Sequence, residues 1–142
     1  MTEKQILLVK KSWSFFREID PVLTGDIFYG KLFLNNPQLK NLFHSTREEQ
    51  AKKLIDMLSV IVCRLDNLCE LTLEIKKLAE RHVQYGVKES HYNAVGVALI
   101  WTLQQGLGRD WNKETKEAWM ACYDEISSIM ISASCYKNRK DE

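Results

Sequence analysis

The sequence predicts an all-α protein, and two observations carry this prediction. Apolar residues recur at steps of three and four positions along most of the chain, whereas the alternation typical of strands is nearly absent. The two prolines and six glycines do not interrupt the long periodic stretches. We therefore expect six or seven helices and no sheet, in the single domain that 142 residues can form.

Capping residues indicate where the first helices of the chain begin. Thr2 and Gln5 have the three-residue spacing of a capping box, in which each side chain bonds the backbone of the other residue. Asp20 precedes Pro21 and so combines a capping carboxylate with a proline in the first turn. The predicted helices span about 3–18, 20–34, 36–43, 46–65, 71–82, 90–107 and a last segment that Asn112 caps.

Three further signals indicate where helices begin or end in the middle of the chain. Asn36 and Pro37 repeat the cap-plus-proline pattern before the short third helix. Thr46 and Glu49 have capping-box spacing before the fourth helix. Gly86 follows the fifth helix, and a glycine at that position is typical of a helix end.

The overall charge argues against several classes of partner. The 20 basic and 19 acidic residues give a net charge of +1, so neither nucleic acid nor an acidic membrane is expected as a partner. No apolar run reaches the roughly 20 residues that a membrane helix needs. The first residues, MTEKQILLVKK, do not have the pattern of a secretory signal, so we expect a cytoplasmic protein.

Four cysteines are widely spaced, at Cys63, Cys69, Cys122 and Cys135. They form no CxxC pair, and no histidine stands at metal-site spacing from them. We expect reduced thiols, with Cys63 as a small core residue in an apolar helical run. A regulatory disulfide between Cys63 and Cys69 is the alternative.

One of the three histidines, His82, lies on an apolar helix face with Ile75 and Leu78. It has two possible roles. It is either a core histidine satisfied by a backbone carbonyl, or the axial ligand of a flat apolar group. Haem fits the second description, because a single neutral imidazole is the usual anchor for its iron.

Four sequence segments favour the role of haem ligand, because together they resemble segments of a known family. They are IFYGKLFLNNPQLKNLF (27–43), EEQAKKL (48–54), LAERHVQYGVKESHYNAVGVALI (78–100) and EAWMACYDEI (117–126). In this order and separation, they resemble the single-domain globins related to the globin module of bacterial flavohaemoglobins. The resemblance covers about 4–132 and implies a globin fold of six to eight helices around a haem b pocket. It places the globin domain at 1–136 and a polar tail at 137–142.

The resemblance also implies residue roles. His82 is expected to be the proximal iron ligand, on the side of the haem that anchors the iron. Phe43 is expected to pack on the haem face, although it could equally be a core residue. Tyr29 and Gln50 are expected to be donors on the distal side, where ligands bind, and Leu54 would form the apolar ceiling there.

Further residues are assigned to the edge of the haem. Val87, Val95 and Leu99 are expected haem contacts, or plain core. Lys53 is expected to reach a haem propionate, with coordination of the iron as the alternative. His44 is expected to be exposed or near a propionate, and His91 to lie at the surface or in an intersegment contact.

The resemblance gives Tyr92 a role on the proximal side. Related globins pair a Tyr at this place with a Glu from the last helix, an arrangement that makes the imidazole more electron-donating. Here the position that matches the Glu holds Ser134. This departure weakens the case for a fully equipped dioxygenase. No sequence remains for flavin and nicotinamide domains, so any turnover is expected to need an external reductase.

The expected ligands are O2, NO and CO. Bound O2 carries partial negative charge on its outer atom, and a Tyr hydroxyl and a Gln amide can both donate to it. The sequence therefore predicts a protein that binds O2 tightly for storage or delivery and can also oxidise nitric oxide to nitrate. The alternatives are a nitric-oxide-removing enzyme with an external reductase, a haem-based gas sensor and a haem-free signalling module. We expect a monomer or weak dimer, for which Tyr85, Trp111 and Met120 are candidate surface residues.

Overall fold

The all-α prediction is confirmed. The computed structural model describes the backbone of residues 1–140 and the side chains of residues 1–133, and no strand occurs within the described backbone. Six α-helices are present: α1 (Glu3–Phe16), α2 (Pro21–Asn35), α3 (Arg47–Cys63), α4 (Thr72–Gln84), α5 (Glu89–Leu107) and α6 (Lys113–Lys140). Three short 3-10 segments, Pro37–Leu42, Leu65–Leu71 and Gly108–Asp110, connect some of them.

The predicted caps at the start of the chain are formed. The Thr2 hydroxyl accepts from the Gln5 backbone N–H at 3.1 Å, and the Gln5 side chain accepts from the Thr2 N–H at 2.9 Å. The Asp20 carboxylate accepts from the Val22 N–H at 3.0 Å, with Pro21 in the first turn of α2. These bonds satisfy backbone donors that have no partner within the helix.

Two cap predictions in the middle of the chain need correction. Thr46 caps α3 by accepting from the Glu49 N–H at 3.2 Å, but the returning Glu49 bond of a full capping box is not among the described contacts. Asn36 does not cap the segment that follows it. Its side-chain amide instead donates to the Leu32 carbonyl at 3.2 Å, an oxygen that also accepts from the Asn36 backbone N–H at 2.9 Å.

The prediction of Cys63 as a core residue is wrong. Cys63 is the last residue of α3 and is exposed, whereas its neighbour Val62 is buried. Consecutive helical residues point about 100° apart, so the inward face of α3 passes through Val62 and leaves Cys63 outside. Cys63 and Cys69 are free, exposed thiols, and Cys122 is buried. Cys135 lies outside the residues whose side chains are described.

The crossing of α2 and α3 positions the candidate site. A Cβ added at Gly25 would overlap the Cβ of Ala51 and lie 2.8 Å from its Cα, so the two helices touch with almost no side chain between them. Tyr29 lies one turn after Gly25, and Gln50 directly precedes Ala51. The close crossing therefore brings these two predicted site residues together.

The remaining helices complete the core. α6 packs against α1, α4 and α5, and α5 also packs against α2. Trp13 of α1 and Trp119 of α6 meet with ring centres 5.8 Å apart, and the Trp119 indole donates to the Ser12 hydroxyl at 2.8 Å. Within the described residues, every helix is too short or too polar to cross a lipid bilayer. α6 runs on to Lys140, past the predicted end of the domain at 136, and that boundary stays a prediction.

Candidate functional site

A cavity of about 170 Å³ lies between α2, the Pro37–Leu42 segment and the start of α3. Its lining residues are Tyr29, Phe33, Lys40, Phe43, Ser45, Arg47 and Gln50. The two predicted distal donors, Tyr29 and Gln50, and Phe43, the residue predicted to pack on the haem face, therefore line one cavity. The other four lining residues were not predicted. We call this space the ligand cavity.

Three aromatic rings build one wall of the ligand cavity. The Phe43 ring centre lies 5.4 Å from those of both Tyr29 and Phe33, and each pair meets edge to face. Tyr29 and Phe33 are stacked at 5.8 Å. Edge-to-face and offset pairs of this kind are each worth about 0.5–1.5 kcal/mol beyond their buried area. Phe43 is half-buried and packs against the core, so its two predicted roles are compatible.

The Tyr29 hydroxyl is a protonated donor at this cavity. It donates to the backbone carbonyl of Gln50 at 3.3 Å, a long bond for a hydroxyl. Burial raises the pKa of Tyr29 to about 12, because the phenolate would lose its hydration. Tyr29 therefore keeps its proton at any physiological pH.

The geometry of His82 is compatible with both roles that its sequence position left open. His82 is half-buried in α4, and its Nδ1 lies 2.8 Å from the Leu78 carbonyl oxygen. A carbonyl only accepts, so we assign the proton to Nδ1, which leaves the lone pair on Nε2. Burial lowers the pKa of His82, and the charge of Arg81 lowers it further. A neutral imidazole whose second nitrogen bonds a backbone carbonyl is the form that typically ligates a metal.

Tyr123 is a residue that sequence analysis missed. Its hydroxyl donates to the backbone carbonyl of Tyr92. Its ring lies against Gly96, where an added Cβ would come within 2.7 Å of Tyr123 Cε1. Tyr123 thus fixes the first turns of α5, which carry Tyr92. The side chain of Ser134, the position that matches the expected Glu, lies outside the described residues.

The structure places the other predicted site residues less close to the ligand cavity. Leu54 and Val95 are half-buried and pack against the core, Leu99 is buried, and Val87 is half-buried. Lys53 and His44 are exposed. The ring of His91 accepts from the Lys88 backbone N–H at 3.0 Å, so it contacts the start of α5. None of these seven residues lines the ligand cavity.

Four lining residues were missed for a common reason. Phe33, Lys40, Ser45 and Arg47 come from four different segments: α2, the Pro37–Leu42 segment, the loop that follows it and the start of α3. Phe33 had a local signal as an apolar residue of the second helix. The two cations had none that distinguishes them from the many exposed basic residues of the chain.

Comparison with known proteins identifies the family. A sequence model of the globin family matches residues 26–130. The chain belongs to the globin family. It is 27% identical to a flavohaemoprotein of Vibrio cholerae over 99% of this chain and 36% of that protein, so it spans little more than a third of that relative's length.

Two further globins match over almost their whole length. The chain is 30% identical to a leghaemoglobin of Canavalia lineata, over 93% of this chain and 95% of that protein. The solved structure of a bacterial globin from Campylobacter jejuni superimposes with a TM-score of 0.83 at 26% identity, over 99% of this chain and 100% of that one. These matches confirm the predicted globin fold and the resemblance to bacterial globins.

Family membership also confirms haem as the cofactor. The described residues fit a haem at two points. His82 in α4 keeps Nε2 for a metal, and the ligand cavity combines a flat aromatic wall with polar donors. This globin thus has side chains suited both to anchoring an iron porphyrin and to meeting a gas molecule.

Proposed function

We propose that this globin binds haem b and takes up O2 with high affinity, with NO and CO as further diatomic ligands. The observation that carries the proposal is that Tyr29 and Gln50, two hydrogen-bond donors, line the same cavity. They do so in a chain whose His82 is neutral and presents Nε2. When bound, haem supplies an iron that takes up one diatomic molecule reversibly.

The residues divide the work of holding haem and ligand. His82 would hold the iron through Nε2, while its Nδ1–H bond to the Leu78 carbonyl orients the ring. Phe43, restrained by two neighbouring rings, would pack against the porphyrin face. Both residues are half-buried, and reduced contact with water strengthens the polar interactions around them.

The two donors favour O2 over CO. O2 accepts more negative charge than CO does, so it gains more from a hydroxyl and an amide directed at it. Each bond is worth about 1 kcal/mol or more, and together they slow O2 release by one or two powers of ten. The bond from Tyr29 to the Gln50 carbonyl is long, so redirecting the hydroxyl to a ligand costs little.

The first experiment measures O2 release by stopped flow in Tyr29→Phe and Gln50→Ala. Each variant is expected to release O2 about fivefold faster or more, with a smaller change for CO, because each removes one donor worth about 1 kcal/mol. Tyr85→Phe is the matched control, since it removes the same hydroxyl from an exposed tyrosine outside the cavity. Unaltered O2 release in both cavity variants refutes the distal assignment.

A second candidate function is the oxidation of nitric oxide to nitrate, with electrons from a separate reductase. The anchoring of Tyr92 by Tyr123 supports this candidate, because it fixes the residue expected on the proximal side of the haem. The O2-loaded protein is mixed with nitric oxide, and the recovery of the ferrous protein is followed in cell extract and in buffer. If the protein is an enzyme of this kind, the ferrous form is expected to recover faster in extract than in buffer. Equal recovery rates in the two argue for a binding protein.

A further inference from the structure

The wall of the ligand cavity carries more positive charge than binding a neutral gas requires. Lys40 and Arg47 both line the cavity, together with the hydroxyl of Ser45. The Lys40 ammonium lies 6.0 Å from the centre of the Phe33 ring, and the Arg47 guanidinium carbon lies 5.9 Å from the same centre. Cations at this distance from an aromatic ring are attracted to it. Phe33 therefore holds two positive charges beside the cavity.

These two charges lack a carboxylate partner. Among the described residues, no carboxylate lies within ion-pair distance of Lys40 or Arg47, and the cavity lining contains none. Glu48, the neighbour of Arg47 in the chain, instead pairs with Lys52 at 3.4 Å. Both side chains are exposed at the mouth of the cavity, so their charges are accessible to an anionic ligand.

All polar side chains of the lining are able to donate. Tyr29 and Ser45 supply hydroxyls, Gln50 an amide, and Lys40 and Arg47 their N–H groups. A guanidinium presents paired donors in a plane that match two oxygens of a flat anion. The space of about 170 Å³ far exceeds the roughly 10–15 Å³ that one water molecule needs.

We propose that the ligand cavity has an anion subsite, formed by Lys40, Ser45 and Arg47, that binds a small planar oxoanion such as nitrate. The subsite lies beside the place of the diatomic ligand and requires no bond between the anion and the iron. It deepens the proposed function, on which it rests for the presence of haem, because nitrate is the product of nitric oxide oxidation.

The test uses the haem-loaded ferrous protein with CO bound, so that the anion cannot coordinate the iron. Sodium nitrate is titrated against sodium chloride at constant ionic strength, and the infrared C–O stretch reports the field that the cavity donors create. The subsite predicts a shift that saturates with nitrate. The double variant Lys40→Gln/Arg47→Gln is expected to raise the half-saturating nitrate concentration at least tenfold. Arg47→Lys is expected to raise it by less, because lysine keeps the positive charge and loses only the paired N–H donors.

The matched control removes the same two charge types elsewhere. Arg109→Gln with Lys116→Gln alters exposed residues outside the cavity and is expected to change half-saturation less than twofold. Equal weakening in both double variants would assign the effect to overall charge and overturn the subsite. If the Lys40 and Arg47 changes destabilise haem binding, the single Arg47→Gln variant carries the comparison.

Two other outcomes also overturn the proposal. One is the absence of a saturable shift in the wild-type protein. The other is faster haem loss in Arg47→Gln with unchanged nitrate titration, which would assign the cation to the haem carboxylates. The O2 release measurements on Tyr29 and Gln50 are made without nitrate. Failure of the subsite is therefore distinguishable from failure of the proposed function.

Discussion

The ligand cavity and the region that anchors His82 are built by different means. At the cavity, side chains with donors surround about 170 Å³ of space, and the longest described bond there is the 3.3 Å contact of Tyr29. In the anchor region, formed by α4, α5 and α6, His82 and Tyr123 are bound to backbone carbonyls. An apolar cavity of only about 10 Å³ lies beside Tyr123, between α3, α5 and α6. One region therefore encloses space with polar side chains, whereas the other bonds its side chains to the backbone.

The largest expected effect comes from a substitution that separates the two helices beside the ligand cavity. Gly25→Ala inserts a methyl group where Ala51 already lies, so α2 and α3 must separate. We expect a loss of about 1–3 kcal/mol in the free energy of unfolding, as for overpacked cores. Urea titration measures this loss, and O2 release is expected to accelerate because Tyr29 and Gln50 move apart.

The same helix supplies the control for this change. An added Cβ at Gly30 meets no atom within 4 Å, so Gly30→Ala is expected to be neutral or to stabilise by up to about 1 kcal/mol through helix propensity. Equal stability of the two alanine variants would contradict the close crossing of α2 and α3.

A smaller effect sharpens the account of Tyr29 through pH. Burial raises the pKa of Tyr29 to about 12, so the stability that its neutral form contributes is complete below its unfolded pKa of about 10 and is lost as pH rises toward 12. Between about pH 9 and about pH 11, wild type is expected to lose on the order of 1–2 kcal/mol more than Tyr29→Phe does. Urea titrations at the two pH values measure this difference. Parallel losses would mean that the phenol ionises as freely in the folded protein as in the unfolded chain.

The smallest expected effect concerns the anchor region. Tyr123→Phe removes the bond to the Tyr92 carbonyl and is expected to cost about 1 kcal/mol of stability. Because Tyr123 lies outside the ligand cavity, O2 release is expected to change much less than in Tyr29→Phe. A larger change in O2 release than in Tyr29→Phe would erase the distinction between the two regions.

Local signals made much of the fold predictable from the sequence. A cap depends on residues three positions apart, so Thr2 with Gln5 and Asp20 with Pro21 were recognisable before any tertiary structure. The sequence marked His82 as an imidazole on an apolar helix face, but only the resemblance to globins favoured the role of iron ligand over that of a core histidine. Its Nδ1 bond to Leu78 uses a residue one turn away, so it also follows from local geometry.

The prediction that was wrong and the residues that were missed depend on which residues meet across the fold. Cys63 follows apolar residues, but the end and rotation of α3 leave it exposed. The role of Tyr123 needs the approach of α6 to Gly96, which periodicity does not contain. Lys40 and Arg47 resemble other basic residues until the folding of α2 and α3 brings both to Phe33.

The most direct test of the account asks whether His82 Nε2 coordinates the iron. Absorption spectra of the ferric and ferrous haem-loaded protein are compared for wild type, His82→Ala, His44→Ala and His91→Ala. We expect His82→Ala to lose haem or its normal ligation, with imidazole added to His82→Gly restoring the wild-type spectrum, while the other two variants keep it. A wild-type spectrum in His82→Ala would contradict the account, because another group would then hold the iron.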